Sequence, residues 1–430
     1  MNDGLSIFKY PKILIISNNA FSNTSNNGKT LASFFKEYPK SYIAQLYFSE
    51  NNPSKDCCEN FYKITDNDII RSILNKNFRC GGIVCNYCDV NSAYYSKNNN
   101  IIEFLKKINS IRIIREIIWN SRKWDTKDFN IWLNDFSPEV IFFCAGDSGF
   151  AYNIVNTIIR KFKCKLVIYI TDDYILPRKT INLFWWIRRN YIMKKMKIAI
   201  SNSNLFITIS DKMKFEYKKI FKKDSIIVVN MPDSMKREGI IKNNNTINLI
   251  YAGELHFKRY ETLNLLGKAI EKYNLNHNTS KKAFLKIYCI NKPTNKKVLK
   301  MLNIKNASQY LGRLNRDKLI EALNENNILV HVESFNKKSI ESTKLSISTK
   351  IPEYLSLEKP ILAIGPSEVA SIEYLKDSAL CINNKDSIYE EITKLFADEK
   401  SMVSLSKKAT QKYYKYHNNS SFFKNILPFI

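Results

Sequence analysis

The stretch Lys344-Leu-Ser-Ile-Ser-Thr-Lys-Ile-Pro-Glu-Tyr-Leu-Ser-Leu-Glu-Lys-Pro-Ile-Leu-Ala-Ile-Gly-Pro366 decides how the rest of the chain is read. Lys350 and Glu353 stand three residues apart where an amphipathic helix is expected to begin, and Pro360 to Ile364 then reads as a short buried strand. A helix N-terminus exposes unpaired N–H groups and a positive dipole end, which suits an anion such as a diphosphate. Lys350 adds a full charge there, Glu353 one turn on can accept hydrogen bonds from hydroxyl groups, and Ser348 and Thr349 are placed as N-cap residues.

Working outward, short continuous apolar runs alternate with helical patterns, as buried parallel strands do. In the first half these runs are Lys12–Ser17, Val140–Cys144, Leu166–Ile170, Leu205–Ile209 and Ile226–Val229. A Lys/Asn-rich segment follows Pro232, and the pattern restarts with Ile247–Tyr251, Phe284–Tyr288, Ile328–Val332, Pro360–Ile364 and Ala379–Ile382. The expectation is an α/β protein with two Rossmann-like, doubly wound domains. They would occupy residues 1–235 and 247–403, joined by a linker at 236–246 and followed by a C-terminal helix at 404–430. Ligands of open α/β sheets bind beyond the carboxyl ends of the strands, so two facing sheets imply an interdomain cleft.

Several pieces in order resemble the GT-B glycosyltransferases, in particular the family-4-like retaining enzymes of bacterial surface-polysaccharide synthesis. They are Tyr251-Ala-Gly-Glu-Leu with Lys258-Arg259, Tyr310-Leu-Gly-Arg313, Val330-His-Val-Glu-Ser-Phe335, Ser348-Thr-Lys-Ile-Pro-Glu-Tyr-Leu and Lys359-Pro-Ile-Leu-Ala. The resemblance implies a sugar moved from a nucleoside-diphosphate donor, UDP or GDP, to a lipid-linked saccharide. It implies retention of configuration, no metal or other cofactor, and a terminal helix crossing back to the first domain. By the same resemblance Arg259 and Lys350 hold the donor diphosphate, with Lys258 beside them. Gly253 admits the phosphate closely, Glu353 takes the ribose, and Tyr310 and Leu311 pack the base. The family pattern often carries a further glutamate eight positions before Glu353, contacting the transferred sugar. Here that residue is Leu345, and Glu333 or Glu341 is the candidate replacement.

In the first half, Asn26-Asn-Gly-Lys-Thr30 bridges a strand and a helix, and Gly28 would let that loop approach the substrates. A triphosphate-binding P-loop needs a glycine five residues earlier, where Asn23 stands. Asp172 and Asp173 follow a predicted strand, where a carboxylate can orient or deprotonate an acceptor hydroxyl; loop capping is the alternative. Cys85-x-x-Cys88, with Cys80 near it, has zinc-ligand spacing but no second matched pair, so free thiols are the expectation. His331, inside a strand, reads as a buried partner rather than a base.

The chain has 430 residues, 67 of them Lys or Arg against 40 Asp or Glu, giving a formal charge of +27. Such an excess concerns partners rather than fold. It fits an anionic membrane surface, a phosphorylated substrate or nucleic acid, and no nucleic-acid-binding motif is recognisable, so nucleic acid is not expected. Leu183-Phe-Trp-Trp-Ile-Arg-Arg-Asn-Tyr-Ile-Met-Lys-Lys interleaves rings and cations, as a helix lying in a membrane interface would; packing of its Trp face on the core is the alternative. No apolar run nears the ~20 residues needed to cross a bilayer. A cytoplasmic protein, peripheral to the inner face of the membrane, is expected. Two other classes stay open: a basic nucleic-acid-binding protein, and a catalytically inactive partner subunit of the same fold.

Overall fold

The computed structural model describes residues 10–23, 26–84, 109–232, 246–276, 281–417, 422 and 426–429. By its internal contacts the chain forms two compact units. The linker expected at 236–246 and the pair Cys85 and Cys88 fall outside the described residues, apart from Thr246, which opens a strand.

The first unit carries an eight-stranded sheet, ordered β4-β3-β2-β1-β5-β6-β7-β8. Its strands are β1 Ile13–Ser17, β2 Ile43–Tyr47, β3 Asn60–Lys63, β4 Gly82–Ile83, β5 Val140–Ala145, β6 Lys165–Ile170, β7 Leu205–Thr208 and β8 Ile226–Ile227. All described pairings are parallel except β3 with β4. Every residue of β1, β2 and β5 is buried, the signature of strands covered on both faces. The helices are α1 Asn26–Phe35, α2 Asp66–Leu74, α3 Asn109–Asn120, α4 Lys127–Phe136, α5 Gly149–Phe162, α6 Leu183–Ser201 and α7 Asp211–Phe221. Phe422 belongs to this unit and stacks on Phe34 at 4.3 Å between ring centres.

In the second unit a six-stranded, all-parallel sheet runs β11-β10-β9-β12-β13-β14. Its strands are β9 Thr246–Ala252, β10 Lys282–Tyr288, β11 Ser308–Gly312, β12 Ile328–Val332, β13 Ile361–Ile364 and β14 Leu380–Ile382. The helices are α8 Arg259–Asn276, α9 Lys296–Leu302, α10 Arg316–Glu325, α11 Lys337–Thr343, α12 Ile351–Leu355, α13 Ala370–Leu375, α14 Ile388–Ala397 and α15 Glu399–Tyr416. Leu249, Leu263, Leu285, Ile287, Val330 and Leu362 are among its fully buried core residues.

In each sheet the strand order reverses once beside the first strand of the unit: between β1 and β5, and between β9 and β12. The crevice at such a reversal is where open α/β sheets take ligands. The residues leaving those strands are therefore where function is sought.

Candidate functional site

At the reversal in the second sheet, β9 ends at Ala252 and Gly253 follows. Phe257 and Lys258 both adopt left-handed backbone, φ 57° and 58°, which turns the chain so that α8 begins at Arg259. From there Arg259 reaches Glu333, the first residue after β12. Its Nη2 donates to both carboxylate oxygens at 2.9 Å, and its Nε donates to Oε2 at 3.2 Å. Thr262 Oγ1 fixes the backbone beneath by donating to the Glu333 carbonyl at 2.8 Å. Glu333 is 1 % exposed. His331 lies alongside, Nε2 3.3 Å from Glu333 Oε1. Burial alone would raise the Glu333 carboxyl, but His331 and the Arg259 guanidinium hold it down at about 2. Burial pushes His331 the other way, below its usual range.

This geometry corrects one expectation. Glu333 is not a replacement for the carboxylate absent at Leu345, because its oxygens are engaged by Arg259. Its chemical effect is to fix the guanidinium, whose Nη1 takes no part in the pair. Leu345 is itself buried, and Glu341 lies on α11.

Lys350 arrives from the other side. Its Nζ sits 4.6 Å from the centre of the Tyr251 ring, a cation–π contact. A Cβ on residue 253 would overlap that Nζ, so only glycine there leaves room for the lysine. Burial, and then the neighbouring Arg259 charge, push the Lys350 amine down to about 7. Lys350 thus lies within electrostatic reach of Arg259, Glu333 and Glu353.

The helix that follows differs from expectation. α12 has five residues, all buried, so it is neither amphipathic nor long enough to supply a useful dipole. Ser348 and Thr349 do not cap it; Lys350 holds the N-cap position without a side-chain cap. The Ser348 amide instead donates to Ser371 Oγ at 3.0 Å, and the Thr349 carbonyl accepts from Asn230. Tyr354 tethers α12 to the end of β9, its hydroxyl accepting from the Ala252 amide at 3.2 Å. Glu353 is buried and paired with Arg316 Nη1 at 2.8 Å. No sequence signal marked Arg316, and Tyr251 and Tyr354, though inside the quoted motifs, were given no role there.

The remaining candidates lie elsewhere. Lys258 is exposed and 3.5 Å from Glu261. Tyr310 and Leu311 lie inside the edge strand β11, where Tyr310 packs partly on the core and Leu311 is 40 % exposed. In the first unit Gly28 is inside α1, not in a loop, and packs so tightly on the Ala20 carbonyl that a Cβ would collide. Its glycine serves helix–loop packing. Asp173 is buried; its Oδ1 accepts from the Ile175 and Leu176 amides and the Tyr217 hydroxyl, at 3.1, 3.0 and 3.1 Å. It holds the loop after β6. Asp172 beside it is exposed. Among the described residues no group of three or more His, Cys, Asp or Glu side chains is placed to hold a metal ion, and Cys80 is a buried free thiol.

No family model matches the sequence, and no curated protein does either. Solved structures do match along the whole chain. Anabaena HepE in complex with UDP-glucose aligns with a TM-score of 0.57 at 9% identity, covering 97% of this chain and 99% of that one. TarM aligns at 0.63 and 10%, covering 99% of both. A UDP-forming α,α-trehalose-phosphate synthase from Burkholderia xenovorans, in complex with glucose-6-phosphate, gives 0.59 and 10%, with 97% and 99% covered. The fold is GT-B. In GT-B terms the Arg259–Glu333–Lys350 group lies at the carboxyl end of the second Rossmann-like sheet, on β9, β12 and the loop before α12.

Proposed function

We propose that this GT-B protein is a hexosyltransferase that takes a nucleoside-diphosphate sugar, of UDP or GDP, as donor. The carrying observation is the pairing of Lys350, its amine depressed to about 7, with a guanidinium locked by Glu333. Burial disfavours the charged form of Lys350 more than the nearby Glu333 and Glu353 restore it, and a donor diphosphate supplies the further negative charge that holds the proton on. As the donor's glycosidic bond breaks, charge builds on the leaving diphosphate, and Lys350 with Arg259 stabilises it without a metal or other cofactor. The acceptor hydroxyl oxygen forms the new bond to the anomeric carbon, and its proton passes to the departing diphosphate. Glu353, already oriented by Arg316, is assigned the donor ribose, and Tyr310 and Leu311 the base. Exposed Asp172 is assigned the acceptor hydroxyl.

The reading extends to a retaining, family-4-like enzyme of capsule, O-antigen or exopolysaccharide synthesis, acting on a lipid-linked saccharide at the inner face of the membrane. Its support is the first unit's α6, which carries Arg188, Arg189, Lys194, Lys195 and Lys197 and no carboxylate. Leu183, Phe184 and Ile187 at its start are 68, 51 and 48 % exposed, while its two tryptophans are only half-buried. Exposed Leu183, Phe184 and Ile187 on the same helix as exposed Lys194 and Lys197 suit anionic lipid, although Arg188 is buried. No described helix is long and apolar enough to span a bilayer. The test is incubation with UDP- and GDP-sugars and a lipid-linked saccharide, with the anomer of the product read by NMR. Transfer with retention supports the proposal; donor binding with neither transfer nor hydrolysis refutes it in favour of an inactive partner subunit, a reading that buried, uncharged Leu345 favours.

A further inference from the structure

The loop that joins β9 to α8 is held at both ends. At its start the Glu254 carboxylate accepts from Asn291 Nδ2 at 3.1 Å, the Glu254 carbonyl accepts from the Tyr251 hydroxyl at 2.7 Å, and Leu255 packs on the core. At its end Arg259 is paired with Glu333. Between these anchors His256, Phe257 and Lys258 are exposed.

Phe257 has left-handed backbone, φ 57°, and so does Lys258, φ 58°. Glycine takes that conformation at no steric cost, whereas a bulky side chain is strained by it. Among the described non-glycine residues with positive φ, Ser137 and Lys163 are helix C-caps and Lys222 follows α7, places where chains turn this way routinely. Phe257 is the one aromatic residue in that group, and it leaves a strand rather than a helix. Burial does not offset the strain, since Phe257 is 46 % exposed. Its ring lies against the locked guanidinium of Arg259, whose Cζ is 5.7 Å from the ring centre. Strain without a gain in packing is characteristic of backbone that serves a ligand.

The sheet order says which part of the ligand. β10 and then β11 lie on one side of β9, and β12 lies on the other. The base is assigned to β11, and the ribose to Glu353, which is tied to Arg316 on the helix after β11. Arg259 reaches the opposite way, to Glu333 at the end of β12, and Phe257 packs on that guanidinium. With the diphosphate at Arg259 and Lys350, Phe257 stands on the side of the transferred sugar. No other group in this unit has been assigned to that sugar, because Leu345 is buried and uncharged and Glu333 is engaged.

We propose that Phe257 is the platform for the transferred sugar, its ring packing on a C–H face of a donor hexose. The assignment deepens the glycosyltransferase reading and rests on it. A pyranose turns apolar C–H groups outward between its hydroxyls, and the electron-rich face of an aromatic ring complements them. A rigid ring held clear of the core presents that face already in place.

Calorimetric titration of the full chain with UDP, GDP, UDP-glucose and GDP-mannose tests this. For the nucleotide that binds, Phe257→Ala leaves the affinity of the bare diphosphate within about twofold and weakens the sugar conjugate about tenfold, while Phe257→Tyr keeps both. Phe257→Gly weakens the conjugate equally, and because it relieves the left-handed backbone its melting temperature is no lower than that of the natural chain. Equal weakening of diphosphate and conjugate in Phe257→Ala would make the ring a support for Arg259 and overturn the proposal. Unchanged affinity for the conjugate, or a lowered melting temperature in Phe257→Gly, would overturn it too. If the natural chain binds none of the four, the glycosyltransferase reading itself fails and the sugar platform with it; nucleotide binding with an unaltered preference for the conjugate in Phe257→Ala sinks the platform alone.

Discussion

Gly253 and Lys350 share one space: a Cβ on the glycine would overlap the lysine's Nζ, which is held over the Tyr251 ring. The glycine at the end of β9 thus serves a side chain that arrives from far along the chain. Its local conformation does not require it, since it is not among the positive-φ glycines.

Gly253→Ala is therefore expected to displace Lys350 while leaving the sheet intact. Donor affinity should fall by about 2 kcal/mol, roughly thirtyfold in Kd, the scale of a lost hydrogen bond to a charged group. Titration with UDP and GDP alongside a circular dichroism melt checks both halves. Unchanged affinity would detach Lys350 from donor binding.

The lowered amine of Lys350 sets a pH dependence of known sign. The unfolded lysine binds its proton up to about 10.5, the folded one only to about 7. Between those values the unfolded state holds more protons, so this group's effect on stability is unfavourable at and below pH 7 and is relieved as pH rises above it. A diphosphate beside the amine restores the charge. Donor binding at pH 8 should take up about one proton, and at pH 6 almost none. Calorimetry in buffers of different ionisation enthalpy reads this directly. Lys350→Met should abolish the uptake and raise the melting temperature of the free protein at pH 6, a gain in stability at the expense of function.

Glu333 and His331 act in the opposite pH range. Glu333, depressed to about 2, contributes stability that is present above its ordinary value of 4.5 and lost as pH falls through 4.5 toward 2. His331 is also lowered, so its contribution is lost as pH falls below its ordinary 6.5. Both predict acid sensitivity. Glu333→Gln, which leaves Arg259 buried without its counter-charge, should cost about 3 kcal/mol and flatten the acid limb in denaturant titrations from pH 7 to 4.

For the surface on α6, co-sedimentation with vesicles separates the two expected forces. Phosphatidylglycerol vesicles should retain the protein and phosphatidylcholine vesicles should not, and Phe184→Glu with Ile187→Glu should release it. Retention that survives both substitutions would remove the membrane role from this helix.

Much of the architecture was written in apolar runs. β1, β5, β12 and β13 are buried throughout and β9 nearly so, and all five read as predominantly apolar runs, with Asn248 in β9 and His331 in β12 among the polar exceptions. β2 was missed because Gln45 interrupts it; that side chain is fully buried, donating to Ser17 Oγ and accepting from the Phe21 amide. β3 is four residues long, and β11 is an edge strand of alternating exposure. In the site, Arg259, Gly253 and Lys350 were legible from local pattern, but their pairing was not. Arg259 meets Glu333, and Glu353 meets Arg316, only through the sheet's crossover connections, and no local spacing encodes such contacts. The five-residue α12 misled because its carboxylate suggested a solvent face, whereas Arg316 lets Glu353 be buried.

The most direct test of the central claim is the melting temperature of the purified chain against UDP, GDP, their hexose conjugates and ATP. A ligand that binds only the folded state raises it by mass action. A rise is expected with one diphosphonucleoside and its sugars, absent in Lys350→Ala. No rise with any of them, or a rise with ATP alone, would contradict it.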